Sequence, residues 1–335
     1  MDLNSTLTIT DGHPVQNPNR NGTFLFHSST NLNVSSNTTF QGVSQSTYSL
    51  MVTVLVTNAI GVPANLLMLA AIVTYQPLRR SKGVALLIQC VVIDILLSAI
   101  VGPISSIILL LGPRHALPPM FCRLGYSLIN YTIHPASLYA MALTAVQRLC
   151  ATLFPLTYRR LFTRKSIAAM ILLPRLIAFT LSAFPAAAYQ VQMVRSPATG
   201  GCFLVPVVSN GKTMLVYITM SIYLPTSVTC DAYVILLLRS WLLLRREKQN
   251  AGNNKGKLHS LQHRLGITRG LFLSFLWHCL AIYPFALMVT FFPEILSTSS
   301  LIGALFRWMT LSFATMNPVS TKPITQIHHF RGEFH

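Results

Sequence analysis

Seven times between Tyr48 and Ile324 the chain runs apolar for twenty or more residues: Tyr48–Val73, Val84–Leu111, Leu124–Phe154, Ile167–Tyr189, Met214–Leu244, Leu271–Phe292 and Leu301–Ile324. A hydrocarbon core about 30 Å thick needs about 20 residues of helix, so each run is long enough to span a bilayer. The runs are nearly continuous rather than alternating, which excludes barrel strands of about ten residues. Prolines inside them, at Pro63, Pro103, Pro135, Pro174, Pro225, Pro284 and Pro318, would end soluble helices but are tolerated in membrane bundles. Only 10% of the 335 residues are charged, against about 25% in soluble domains, and the mean hydropathy is +0.54. Most soluble enzymes are thereby excluded. No internal repeat suggests a transporter built from paired halves.

The charge that remains is lopsided, 25 Lys+Arg against 7 Asp+Glu, and its placement sets a topology. With the amino terminus outside, eighteen basic residues fall in segments facing inward. Six fall outside (Arg20, Arg114, Arg123, Arg195, Lys212 and Arg307), and Arg175 lies within the fourth run. That bias is the positive-inside pattern, not a nucleic-acid footprint. Residues 1–46 are polar and rich in Asn, Ser and Thr, and read as a disordered extracellular tail with sequons at Asn4, Asn21, Asn33 and Asn37. Such a composition makes sequons cheaply, but four before an apolar region agree with an outside terminus. Residues 47–325 form the helical domain and 326–335 a short cytoplasmic tail. Arg245–Arg269, centred on Asn-Ala-Gly-Asn-Asn-Lys-Gly-Lys, is expected to be a flexible basic cytoplasmic loop, lying near anionic lipid or docking a partner. The expected fold is an all-α membrane protein, a seven-transmembrane helix bundle with its amino terminus outside and carboxy terminus inside.

Of six cysteines, Cys90, Cys150, Cys230 and Cys279 lie in or beside apolar runs and read as small hydrophobes. Cys122 and Cys202 fall outside, where an oxidising compartment permits a disulfide that would pin the intervening loop over the mouth of the bundle. No Cys/His spacing fits a zinc site, and His328-His329 reads as a tail pair. No metal is expected from these residues, and no nucleophile, base and orienter set marks an enzyme.

Beyond the tail the chain resembles the rhodopsin-like (class A) G-protein-coupled receptors. The marks, in order, begin with Asn65 in Gly-Val-Pro-Ala-Asn, Asp94 in Val-Val-Ile-Asp-Ile-Leu-Leu, Cys122 and Cys202, and Gln147-Arg148-Leu149 with Pro155-Leu156. They continue with Pro225 and Tyr233, Pro284, and Asn317-Pro318. The resemblance implies a Cys122–Cys202 disulfide and an inner face of Gln147, Arg148, Leu149, Tyr233, Asn317 and Pro318 that couples to a heterotrimeric G protein. It also implies a polar cluster of Asn65, Asp94, Ser137 and Asn317. Asp94 is an ionisable group in an apolar helix and should face the interior with a partner. In the family such a cluster holds a sodium ion, and hard oxygen donors suit one; a hydrogen-bonded cluster without an ion is the alternative. No other cofactor is implied.

The departures bear on signalling. Gln147 and Leu149 stand where the family has an acid and a tyrosine, so the ion pair that restrains Arg148 is missing. Arg175 replaces the fourth-helix tryptophan, Ile282 the tryptophan of the sixth, Phe313 an asparagine, and Thr321 the tyrosine after Asn317-Pro318. Pro323 follows closely. Cys122 to Arg148 is one residue longer than the family spacing, an excess to be absorbed at Pro135 or by a bulge.

For ligand recognition the outer halves offer Asn130, Tyr131, His134, Tyr217, Phe285, Met288, Arg307 and Thr310, an aromatic pocket with few polar handles. By alignment, Asn130 disfavours an amine ligand, and Leu311 at the retinal-lysine position excludes a photopigment. Arg123, Lys212 and Arg307 give a basic rim suited to an anionic extracellular ligand, unless these residues merely snorkel to the interface. The reading is a plasma-membrane receptor. A non-coupling or decoy receptor of the same fold, and more distantly a seven-helix channel or transporter, are the alternatives. The spans hold few ionisable residues to line an ion path.

Replacing Asn4, Asn21, Asn33 and Asn37 by Gln should collapse a glycan-broadened band on a gel, because only a lumenal tail meets the transferase. An unchanged mobility in the quadruple variant removes that support for the orientation.

Overall fold

A computed structural model of the chain describes residues 45–74, 76, 83–118, 120–196, 199–207, 211–249, 255–292, 295 and 299–320. The four sequons, Thr321, Pro323 and residues 326–335 lie outside them. Helix α1 is Gln45–Thr74, beginning two residues before the expected boundary. Helix α2 is Val84–Leu111, with a π-helical turn at Leu97–Val101. Helix α3, Ser127–Leu153, is entered through a second π-helical turn, Phe121–Tyr126, and followed by a short helix, Pro155–Leu161. Helix α4 is Arg164–Ala187, and strands β1 (Val191–Arg195) and β2 (Cys202–Pro206) form an antiparallel hairpin. Helix α5 comprises Gly211–Ile218, a π-helical turn Thr219–Tyr223, and Leu224–Gln249. Helices α6 (Lys255–Phe291) and α7 (Ser300–Ser320) complete the described elements.

The side chains sort opposite to those of a soluble bundle. Leu67, Leu273, Leu280 and Phe179 face outward with more than 60% of their surface exposed, whereas Asn58, Asn65, Asp94, Ser98 and Ser106 are buried. Exposed leucine stripes of this size need hydrocarbon around them, and backbone groups in hydrocarbon must pair within their own helix. The protein is therefore a helical membrane protein. Helices α1, α2, α4, α5 and α6 are long and apolar enough to cross a membrane by length and composition. Helix α3 carries Asn130, His134, Gln147 and Arg148, which dilute its apolar character. Gln147 is buried and the other three are partly buried where α3 packs against α2, α4 and α5, while α7 packs on α1 and α6.

Two differences from the sequence expectation stand out. The stretch Arg245–Arg269 is mostly helix rather than loop: α5 continues to Gln249 and α6 starts at Lys255. Lys, Arg, Leu and Gln are good helix formers, so a polar segment of this composition extends a helix as readily as it forms a loop. Helix α3 is continuous through Pro135, and Cys122 lies within the π-helical turn that enters it.

Close approach of α1, α2 and α7 depends on Gly61. A Cβ there would lie 2.6 Å from Thr315 Oγ1 and 3.1 Å from Ser98 Oγ, contacts that small residues at helix interfaces avoid. Thr315 Oγ1 donates to Thr57 O at 3.2 Å, and Asn65 Nδ2 donates to Ala314 O at 2.9 Å, so hydrogen bonds tie α1 to α7 at the same level. Gly61→Val should lower the thermal midpoint of the purified protein, costing about 1–3 kcal/mol through overpacking. Gly266→Ala, with no atom within 4 Å of the added carbon, should leave the midpoint unchanged or raise it. Equal midpoints for wild type and Gly61→Val would show that this interface is loose.

Candidate functional site

At the hairpin end of the bundle, three ties hold β1 and β2 over the helices. Cys122, in the π-helical entry to α3, is bonded to Cys202 at the start of β2, with Cα atoms 5.5 Å apart. Arg195, paired with Cys202 across the hairpin, donates from its guanidinium to Gly200 O at 3.1 Å and to Gly112 O at 2.7 Å, joining the hairpin to the end of α2. Gly200, at φ +73°, packs so closely on the Gly112 carbonyl that no Cβ would fit. Arg123 Nε and Nη2 each donate, at 3.1 Å, to Ala186 O and Ala187 O, capping the carbonyl end of α4. Left-handed Ala188 then turns the chain into the hairpin. Arg123 thus serves a helix end. Of the basic rim, Lys212 is exposed and the Arg307 side chain lies outside the described residues.

Beneath this cover lie two adjoining cavities. The upper is lined by Tyr126, Asn130, Tyr131 and Phe285, together with hairpin residues Met193, Cys202, Phe203 and Leu204. The deeper shares Tyr126, Asn130, Tyr131 and Phe285 and adds Ser105, His134, Ile282, Thr310 and Leu311. Of the expected pocket residues, Asn130, Tyr131 and Phe285 therefore line both cavities, and His134 and Thr310 the deeper. Tyr217 stands behind the wall, its ring 5.9 Å from that of Tyr131. Met288 lines neither. Tyr126 escaped the sequence reading, although helical spacing gives the signal: Tyr126, Asn130 and His134 follow at intervals of four on one face. Its hydroxyl is 3.0 Å from Ser105 Oγ, linking α3 to α2. Also unanticipated is His278 on α6, whose ring centroid lies 6.4 Å from that of His134, both residues within the bundle.

The polar cluster sits lower. Asp94 is 2% exposed and has an interaction partner; Ser137 is also buried, and the Asn317 side chain lies outside the described residues. Asn65 Oδ1 and Ser98 Oγ are buried without a hydrogen-bond partner. With the Asp94 carboxylate these are oxygens of the kind a small hard cation takes.

At the opposite end a third cavity is lined by Met68, Cys90, Met141, Thr144, Arg148, Tyr233 and Phe275, among others. Tyr233 packs on Phe275 at 5.9 Å, and Leu149 joins the apolar cluster around Tyr233. Among the described residues Arg148 forms no ion pair. Gln147 is directed elsewhere: its Nε2 donates to Tyr158 Oη at 3.1 Å, in the short helix after α3. It also packs on Gly83, where a Cβ would come within 2.9 Å of Nε2. Asn317 and Pro318 lie on α7, their side chains outside the described residues.

A helical bundle with a disulfide-held hairpin at one end and an arginine-lined cavity at the other is the build of a membrane receptor. The sequence matches the 7 transmembrane receptor (rhodopsin family) over residues 64–320, from within α1 to the end of α7, and the chain belongs to that family. Its members are receptors rather than enzymes. No curated protein matches the chain.

Cys202→Ala should reduce stability by about 2–5 kcal/mol and lower the amount of protein at the cell surface, whereas Cys150→Ala should change neither. Mass mapping that finds both Cys122 and Cys202 as free thiols in surface protein contradicts the tie.

Proposed function

We propose that this chain is a plasma-membrane receptor of seven spans, amino terminus outside and carboxy terminus inside. In this reading it converts binding of an extracellular ligand under the hairpin into a conformational change read by a heterotrimeric G protein at the Arg148 end. The observation that carries the reading is the course of α3. Tyr126, in the turn that enters it, and Asn130, Tyr131 and His134, in its first turns, line the cavities under the hairpin, and Met141, Thr144 and Arg148 line the opposite one. One rigid helix thus touches both places, and a ligand with different affinity for two arrangements of α3 shifts their populations. The basic residues cluster at the Arg148 end in this orientation, toward an anionic leaflet. The ligand cavity is aromatic with few polar groups, and Arg123, engaged with the α4 carbonyls, adds nothing to an anion site. A sodium ion held by Asp94, Ser98 and Asn65 belongs to the same reading and would favour one arrangement of the bundle. The tail sequons carry glycans.

A non-coupling receptor is the second reading, favoured by buried Ile282 in the place of the family's tryptophan. Basal G-protein activation separates the two. A neutral amide cannot hold Arg148 as a carboxylate would; a charge-assisted hydrogen bond contributes about 1.5–3 kcal/mol against about 1 for a neutral one. Wild type should therefore signal without ligand, Gln147→Asp should lower that signal by up to about tenfold, and Arg148→Ala should abolish it. A wild-type signal no higher than that of Arg148→Ala assigns the non-coupling receptor.

A further inference from the structure

The two cavities under the hairpin share a middle, where Tyr126, Asn130, Tyr131 and Phe285 line both. Several hydroxyls around this middle are already committed to the chain. Ser105 Oγ lies 3.0 Å from Tyr126 Oη, Thr310 Oγ1 donates to Phe306 O at 3.0 Å, and Ser221 Oγ donates to Ile218 O at 3.4 Å. Nearer the hairpin, Thr199 Oγ1 accepts from Gly201 N and Ser299 Oγ from Ile302 N, each at 3.4 Å. Asn130 differs. Its carboxamide is partly buried, lines both cavities and has no hydrogen-bond partner among the described residues. No Asp, Glu, Lys or Arg lines either cavity among those residues. An ion taken under the hairpin would lose water and meet no opposite charge there, which is costly in apolar surroundings. A carboxamide offers an acceptor oxygen and two N–H donors without charge, so its complement is a neutral group that gives and takes a hydrogen bond. The deeper cavity adds the apolar Val101, Pro135, Ile222, Ile282 and Leu311, against which a hydrocarbon chain leaves water. On α7 the lining runs from Gly303 to Leu311, about 12 Å of helix at 1.5 Å per residue. That depth suits a chain of medium length rather than a bulky peptide.

We infer, resting on the ligand site proposed above, that the ligand is an uncharged amphiphile of medium length. Its head, an amide or alcohol, bonds to the Asn130 carboxamide between the aromatic rings, and its hydrocarbon fills the deeper cavity. Recognition then comes from one open carboxamide and from apolar burial, with no ion pair.

The test is photolabelling of the purified full-length chain in zwitterionic lipid nanodiscs. The probes are octanamide, octanoate and octylamine, which share one chain, each carrying a diazirine within it. Mass mapping should place the octanamide label on the α3 and α6 segments that line the cavities, at least tenfold above the label from either charged probe. Unlabelled octanamide should compete it away. Asn130→Leu should cut that label at least tenfold with the Cys122–Cys202 bond intact. Asn130→Asp, of nearly the same shape, should take octylamine over octanamide, which keeps the test decisive if Asn130→Leu misfolds. Equal labelling by the three heads, no competable label, or octanamide labelling unmoved by both Asn130 variants overturns the inference. A wild-type preference for either charged probe overturns it too, and an octanoate preference lost in Arg307→Gln assigns an acidic ligand instead. Labelling needs no G protein, so a non-coupling receptor with a neutral ligand still gives the octanamide pattern, and coupling is read separately from basal activation.

Discussion

Inside hydrocarbon an unpaired backbone amide or carbonyl costs several kcal/mol, and no water is present to relieve it. Every other feature of this structure follows from how the chain meets that condition. Helices meet it along their length; interruptions need local help. At the π-helical turn of α5, Tyr139 Oη donates to Met220 O at 2.7 Å. At the carbonyl end of α4, the Arg123 guanidinium takes two acceptors. Hydroxyls of Thr57, Thr74, Thr144, Thr226 and Thr229 donate back to their own helices. Polar side chains thus serve the backbone before any ligand.

The same condition decides where polar groups concentrate. Helices packed through small residues can bring oxygens together away from lipid, and Gly61 allows this between α1, α2 and α7. Asn65, Ser98 and Thr315 meet near that glycine, with Asp94 a turn before Ser98. Polar interactions between membrane helices are worth only about 1 kcal/mol each, so the cluster holds one arrangement without freezing it.

Much of this was legible in the sequence because the membrane enforces it residue by residue. The apolar runs located the helices, and Cys122 and Cys202 stood apart from the other cysteines by side alone. Asn130 and His134 of α3, with Tyr126 just before it, follow the four-residue spacing of one helix face. What was not legible depended on groups far apart in sequence. Nothing in the sequence of Arg195 says that it reaches Gly112, or that Arg123 caps α4 instead of lining a rim. Met193, Phe203 and Leu204 enter the upper cavity only because the hairpin register places them there. The helical continuation on both sides of residues 250–254 was missed for a different reason: solvated helix and solvated loop share one composition.

The Arg148 end shows how a single substitution redirects a contact. A carboxylate at position 147 would accept from a tyrosine hydroxyl and attract Arg148 at once, being acceptor only. Gln147 carries two amide donors, and one of them is given to Tyr158 Oη. The side chain is buried against Gly83, so swinging toward Arg148 would break that bond and vacate the packing. The amide therefore ties α3 to the short helix that follows it, and Arg148 is left to the cavity it shares with Tyr233. In this protein the loop helix, not the arginine, receives the restraint at that end of α3.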